Sequence, residues 1–159
     1  FAIVRSNSTH EYQRFIKAMS LSGVRSSVYD VCFDQHDRVA VVGKEGSLFM
    51  WTVGVRYEVQ EDPHLLSRVE LKKGYNRVTM HPLEDLAVVA LGREGAIVNP
   101  VTGEVVKEID EMVGSSIQML ESSPDGKYFA VLGANEKTVT IWKYNSSLCC
   151  NKHAINRQH

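Results

Sequence analysis

The sequence predicts an all-β chain built from one recurring four-stranded unit, and three observations carry that prediction. First, a glycine-punctuated turn leading into an apolar run occurs three times: "GKEGSLFMW" at Gly43–Trp51, "GREGAIVN" at Gly92–Asn99 and "GANEKTVTIW" at Gly133–Trp142. Recurrence at a fixed period sets the architecture before any single motif does. Second, the runs are crowded with Val, Ile, Phe, Tyr and Thr, which fit a pleated surface. Third, the run preceding each glycine turn is apolar almost throughout: "VAVVG", "LAVVALG", "YFAVLGA". A strand buried on one face alternates, so a continuous run predicts burial on both faces.

The units read in order as follows. The first is Ser27–Val53, the second Asn76–Val101 and the third Ser116–Tyr144. Each is a β-type run, a polar turn, an apolar run, a Gly or Asn turn and a third run. The polar turns are "DQHD", "HPLED" and "SSPDGK". In the last, Pro124 presets φ and Asp125-Gly126 takes the reversal. A fourth run follows the first two units, "HLLSRVEL" at His64–Leu71 and "EVVKEID" at Glu104–Asp110, and no clear one follows the third. Trp51, Asn99 and Trp142 close the third runs at intervals of 48 and 43 residues. Four short strands at this period predict a WD40-type β-propeller, with about three blades here and part of a preceding one.

The expected division is 1–26 as last strands of a preceding blade, 27–72 as a WD repeat, 73–112 as a degenerate one, 113–147 as a third, and 148–159 as a C-terminal tail. "FAIV" and "YQRFIKAMSL" fit the earlier blade, and Phe1 falls inside an apolar run, so a piece of a longer protein is expected. The repeats are weak ones. Gly-His opens a strong WD repeat; here the openings are Gly23-Val24, Gly74-Tyr75 and Gly114-Ser115. Trp-Asp closes one; here Trp51-Thr52, Asn99-Pro100 and Trp142-Lys143 do. The polar network of His, Asp, Ser and Trp is therefore not expected, leaving apolar burial at ~25 cal/mol per Å² to join the blades.

Composition narrows function. The chain has 159 residues, 43% of them hydrophobic, and a formal net charge of −1. That is about one domain, with no excess positive field to hold a DNA backbone. No run approaches the ~20 apolar residues of a membrane helix, and no signal peptide is read in this stretch, with any targeting signal expected outside it. Cys32, Cys149 and Cys150 are an odd set that forms no disulfide framework. Gly43–Trp51 is not a phosphate loop. Such a loop needs its glycines before a helix and a Lys-Ser/Thr ending, and here a strand pattern follows.

One stretch is more specific. "WTVGVRYEVQEDPHLL", Trp51–Leu66, places a Tyr, a short charged run, Asp-Pro and Leu-Leu between the third and fourth strands. It resembles the insertion "DxEYKxxxDPYLL" of the transducin beta-like WD-repeat family, and His10–Val28 matches the layout upstream of that blade. The resemblance runs over roughly Phe1–Tyr144; "SLCCNKHAINRQH" departs from it. The resemblance implies a non-enzymatic scaffold in endoplasmic reticulum stress signalling. It also implies association with the stress kinase of that membrane, and anchoring through a segment upstream of Phe1.

Insertions in repeats often map to a binding face. Arg56, Tyr57, Glu61, Asp62, Pro63 and His64 are accordingly the protein-interaction candidates, with Arg and Tyr the usual hot-spot types. An ordinary surface loop packed by Tyr57 and Pro63 is the structural alternative. No catalytic, cofactor or metal residues are assigned. "CCNKH" offers Cys149, Cys150 and His153, one ligand short of a closed zinc site. Cys32, beside Phe33, reads as a small buried hydrophobe. His36 and His81 fall at matching turns, as do Glu45 and Glu94, which favours solvated turn roles over catalysis. Asn7-Ser8-Thr9 and Asn145-Ser146-Ser147 are glycosylation triplets relevant only to a lumenal chain. Two other readings stay open: an enzyme on a propeller scaffold, with carboxylates at the central channel, and RNA association through scattered lysines and loop aromatics.

Overall fold

The computed structural model describes residues 19–54 and 63–144, and the backbone of residues 151–156. They form three four-stranded antiparallel sheets and, among the described residues, no helix. The first sheet is β1 (Val28–Phe33), β2 (Arg38–Gly43), β3 (Ser47–Thr52) and β4 (His64–Glu70). The second is β5 (Arg77–Met80), β6 (Ala87–Leu91), β7 (Glu94–Val98) and β8 (Val105–Ile109). The third is β9 (Ile117–Ser122), β10 (Tyr128–Gly133), β11 (Thr138–Lys143) and β12 (Asn151–Asn156). Each sheet is a meander in sequence order, the blade of a WD-type propeller.

The third blade corrects the sequence reading. Asn151–Asn156 lies in the stretch expected to be a tail, yet pairs along β11 from Thr138↔Asn156 to Lys143↔Asn151. Backbone N–H and C=O groups can join a ladder whatever the side chain, so "NKHAIN" needs no apolar pattern to pair. Of residues 1–26, the expected last strands of an earlier blade, 1–18 lie outside the described residues and 19–26 form no strand.

Strand parity builds the core. Ala40, Val42, Leu48 and Met50 face the second blade and pack with Tyr75, Val78, Met80, Val89 and Val98. Their odd-numbered neighbours Val39, Val41, Phe49 and Trp51 form a separate cluster on the other face, against Leu21, Val24 and Val53. In the middle blade Val88, Ala90 and Ile97 turn the opposite way, to Ile117, Leu120, Phe129, Val131 and Trp142. The apolar runs of β2 and β6 are thus buried on both faces, as expected, but β10 is not: Phe129, Val131 and Gly133 are buried while Tyr128 is exposed and Ala130 and Leu132 are half-buried, because no further described blade covers that face. Trp51 and Trp142 are 3% and 7% exposed, stacked on Phe49 and Phe129 respectively. Gly46 closes the β2–β3 turn at φ 84°, a torsion that a side chain resists.

The blades are also joined by polar contacts that the weak repeat signature does not foretell. The Asp30 carboxylate accepts from the Val78 N–H at 2.9 Å, and Cys32 Sγ from the Met80 N–H at 3.3 Å. Burial pushes the Cys32 thiol up, against these bonds from Met80 and Thr79. Thr79 Oγ1 donates to Ser122 Oγ, which meets Tyr144 Oη at 2.9 Å. Trp142 donates its indole N–H to the Met112 carbonyl at 3.1 Å. A different network replaces the one the missing residues would form, so apolar packing does not act alone.

Arg38 is the strongest of these clamps. It reaches Asp34 of its own turn and Asp85 of the next blade, both at 2.7 Å. Burial would lower its proton affinity, but the bonds to Asp85 and Asp34 raise it on balance. The Asp34 side chain is fully buried. Arg38→Met is expected to cost about 1–3 kcal/mol, because it removes a charged partner from a buried carboxylate. Urea unfolding of the variant checks this; an unchanged midpoint would mean that the clamp contributes nothing.

Candidate functional site

The meander puts the β1–β2 turn and the β3–β4 connection at one end of each blade. The Val53 N–H donates to the Asp37 carbonyl at 2.8 Å, fixing the root of the first β3–β4 connection beside the first turn. Successive turns then join into a rim. The Gln35 N–H donates to the Pro82 carbonyl at 3.0 Å, and His36 Nε2 meets the Leu83 carbonyl at 3.2 Å. Gln35 Nε2 spans to the third blade, donating to the Pro124 carbonyl at 3.0 Å. The rim exposes Asp37, Glu84, Asp85 and Asp125, with Leu83 between them. A hydrogen bond from Ser123 Oγ, followed by one from the Lys127 N–H, holds the Asp125 carboxyl below its usual range.

Of the six interaction candidates, Arg56, Tyr57, Glu61 and Asp62 lie outside the described residues. Pro63 is half-buried, and His64 is exposed at the head of β4. Leu65 and Leu66 follow, 51% and 48% exposed, so the Leu-Leu of the insertion motif is an apolar step that the sequence reading did not count among the interaction candidates. A bulge at Met50/Trp51 shifts the β3–β4 register there, which breaks the alternation that would have revealed it.

His81 departs from its expected role. His36 is exposed, but His81 is buried at 7%. Its Nδ1 accepts from the Leu83 and Glu84 N–H groups at 3.1 and 3.0 Å, and those two bonds leave Nε2 to donate to the Gly126 carbonyl at 3.0 Å. Its ring meets Tyr144 edge-on. His81 thus ties the second turn to the third; matching positions in the sequence do not show that one ring turns inward. At the other end of the blades Glu45 sits in the β2–β3 turn, as expected, and Glu94 opens β7; they pair with Arg68 at 3.7 Å and Lys73 at 2.9 Å.

Side by side, β1, β5 and β9 are the inner strands, and a groove of about 560 Å³ runs along them. Asp30, Arg77, Gln118 and Glu121 line it together with Tyr29, Val31 and Phe33. Two of its charged groups are engaged in holding strands, Asp30 on Val78 and Arg77 Nε on the Gln118 carbonyl at 2.7 Å, and Glu121 is exposed. Among the described residues, no cluster of three or more His, Cys, Asp or Glu could hold a metal ion. Cys149 and Cys150, with the side chain of His153, fall outside the described residues. No described helix is long and apolar enough to cross a membrane.

No protein-family model matches the chain. Among curated proteins, it is 27% identical over 127 residues to transducin beta-like protein 2 of Mus musculus, across 77% of this chain and 29% of that protein. To transducin beta-like protein 2 of Homo sapiens it is 25% identical over 128 residues, with the same shares covered. The chain spans less than a third of the length of these relatives. With its three stacked meanders, this chain is a WD-type β-propeller fragment that resembles transducin beta-like protein 2.

Proposed function

We propose that the chain is part of a non-enzymatic WD-repeat scaffold, and that its partner protein docks on the rim where the β3–β4 insertion emerges. The observation that carries this reading is the rim itself: three turns locked to one another by Gln35, His36 and His81, beside an apolar step at Leu65 and Leu66. A rigid platform lowers the ordering cost of binding. Arg56 and Tyr57 are the anchors of choice by residue type. The similarity to transducin beta-like protein 2 supports the scaffold reading. The finer reading is a role in endoplasmic reticulum stress signalling with a kinase of that membrane as partner, and it rests on the family resemblance.

Shortening Arg56–His64 to a tight turn in the full-length protein is expected to reduce partner recovery in a pull-down while thermal melting stays unchanged. Loop contacts are lost without opening a cavity. Equal recovery at equal stability would move the docking site away from the insertion. Recovery of an endoplasmic reticulum kinase with the wild-type protein would support the finer reading; a tightly held small-molecule substrate would contradict the scaffold reading.

A further inference from the structure

A second groove, of about 230 Å³, opens where the inner strands reach the rim. Phe33, Met80, Pro82 and Pro124 give it apolar walls. Phe33 is 65% exposed, and Leu83, next to Pro82, is 52% exposed. Gln35 fastens both proline walls, through its N–H to the Pro82 carbonyl and its Nε2 to the Pro124 carbonyl, each at 3.0 Å. Most other polar groups of the groove are taken up by the fold. Thr79 bonds Ser122, Ser123 Oγ bonds Asp125, and Arg38 holds Asp34. Glu121 is the exception: it lines the groove, is exposed, and makes no ion pair among the described residues. The groove opens into a surplus of carboxylates. At this end of the blades Arg38 serves both Asp34 and Asp85, and Lys127 lies 4.0 Å from Asp125. Asp37, Glu84, Glu104 and Glu121 remain, and with histidines neutral Lys143 is the one described cation left against them. The other end has no such surplus, since Arg68 meets Glu45 and Glu70 there and Lys73 takes Glu94.

We infer that the partner segment docking on this rim is basic, and that one of its lysine or arginine side chains occupies this groove. The inference deepens the proposed function and rests on it. Apolar walls with a carboxylate at the lip fit a long cationic side chain, whose methylene stem covers apolar surface while its charged head stays in water. The surplus of carboxylates around the opening steers such a segment and disfavours an acidic one. A nucleic acid is excluded on the same ground, because its phosphates would meet Glu84 and Glu121 instead of cations. The walls are tied together before anything binds, which lowers the ordering cost.

The test is fluorescence anisotropy of a fluorescein-labelled, arginine-rich Gly/Ser peptide with the full-length protein, across ionic strength. Its citrulline counterpart, which keeps the shape and loses the charge, is run beside it, as is competition by calcium chloride at constant ionic strength. Glu84→Lys with Glu121→Lys is expected to weaken peptide binding about tenfold or more, and rising salt to weaken it in the wild type. Phe33→Ala should weaken it about threefold at every salt concentration, through lost contact with the stem. Glu111→Lys at the other end of the blades should leave it unchanged. The Glu84 and Glu121 side chains make no described hydrogen bond or ion pair. The milder pair Glu84→Gln with Glu121→Gln guards against a folding defect by giving a smaller loss in the same direction. The inference is overturned by affinity unchanged in the double variants, by equal binding of the citrulline peptide, or by no binding at all. Displacement by calcium would make the carboxylates a metal site and overturn it too. So would a Phe33→Ala variant that melts lower and binds equally, which would show that another part of the protein fills the groove. The pull-down separates the two readings: full partner recovery by the charge-reversed variant overturns this inference and leaves the scaffold reading standing.

Discussion

Trp142→Ala will destabilise the domain by about 3–5 kcal/mol, the range for removing a large buried aromatic. Two interactions are lost at once and a cavity is opened. The ring stacks on Phe129 with centroids 6.2 Å apart, inside the cluster that joins the second and third blades. Its N–H satisfies the Met112 carbonyl at 3.1 Å, a bond between blades that would be left unmade. Its removal also leaves a cavity lined by β-sheet residues that cannot collapse without breaking register. Trp51→Ala should cost a comparable amount, since that ring stacks on Phe49 at 5.6 Å in the cluster on the first blade's outer face. Denaturant unfolding monitored by far-ultraviolet circular dichroism measures both. Unchanged midpoints would place the tryptophans at the surface and refute the stacking.

Gly95→Val will destabilise by about 1–3 kcal/mol through overpacking. A side chain there would come 2.6 Å from the Val89 carbonyl oxygen and run into Met112 Sδ. The methionine can move aside; the carbonyl belongs to the β6–β7 ladder and cannot. Gly74→Ala is the matched control, because nothing lies within 4 Å of a Cβ at that position. It is expected to stay within about 0.5 kcal/mol of wild type. Equal effects at the two glycines would mean that β7 does not pack against the Met112 segment as described.

Much of this architecture is legible in the residues. The three glycine turns and continuous apolar runs carry the strand count, and in β2 and β6 the two-sided burial; in β10 the same kind of run leaves Tyr128 exposed, because burial there depends on a neighbouring blade. Trp51 and Trp142 are recognisable as core by their matching places at the ends of third strands. The fourth strand of the last blade is not legible. Lys152 and Asn151 supply no pattern, and only the backbone of β11 tells them where to pair. The inward turn of His81 is hidden for a related reason: its partners, Gly126 and Tyr144, lie one blade away in sequence. The insertion was chosen by its irregular composition, a cue that marks a loop and does not name a binding site.

The central claim is that the recurring units stack as successive blades, so that turns far apart in sequence meet on one rim. The contact between Gln35 and Pro124 spans all three blades and is the most demanding consequence of that stacking. Gln35→Cys with Pro124→Cys, in a background with Cys149 and Cys150 replaced by serine, is treated with a short bifunctional maleimide and digested. The single variants control for reaction at Cys32. A cross-link between peptides bearing positions 35 and 124 is expected in the folded protein and lost in denaturant. A cross-link no more frequent in the folded than in the unfolded protein would contradict the stacked-blade arrangement.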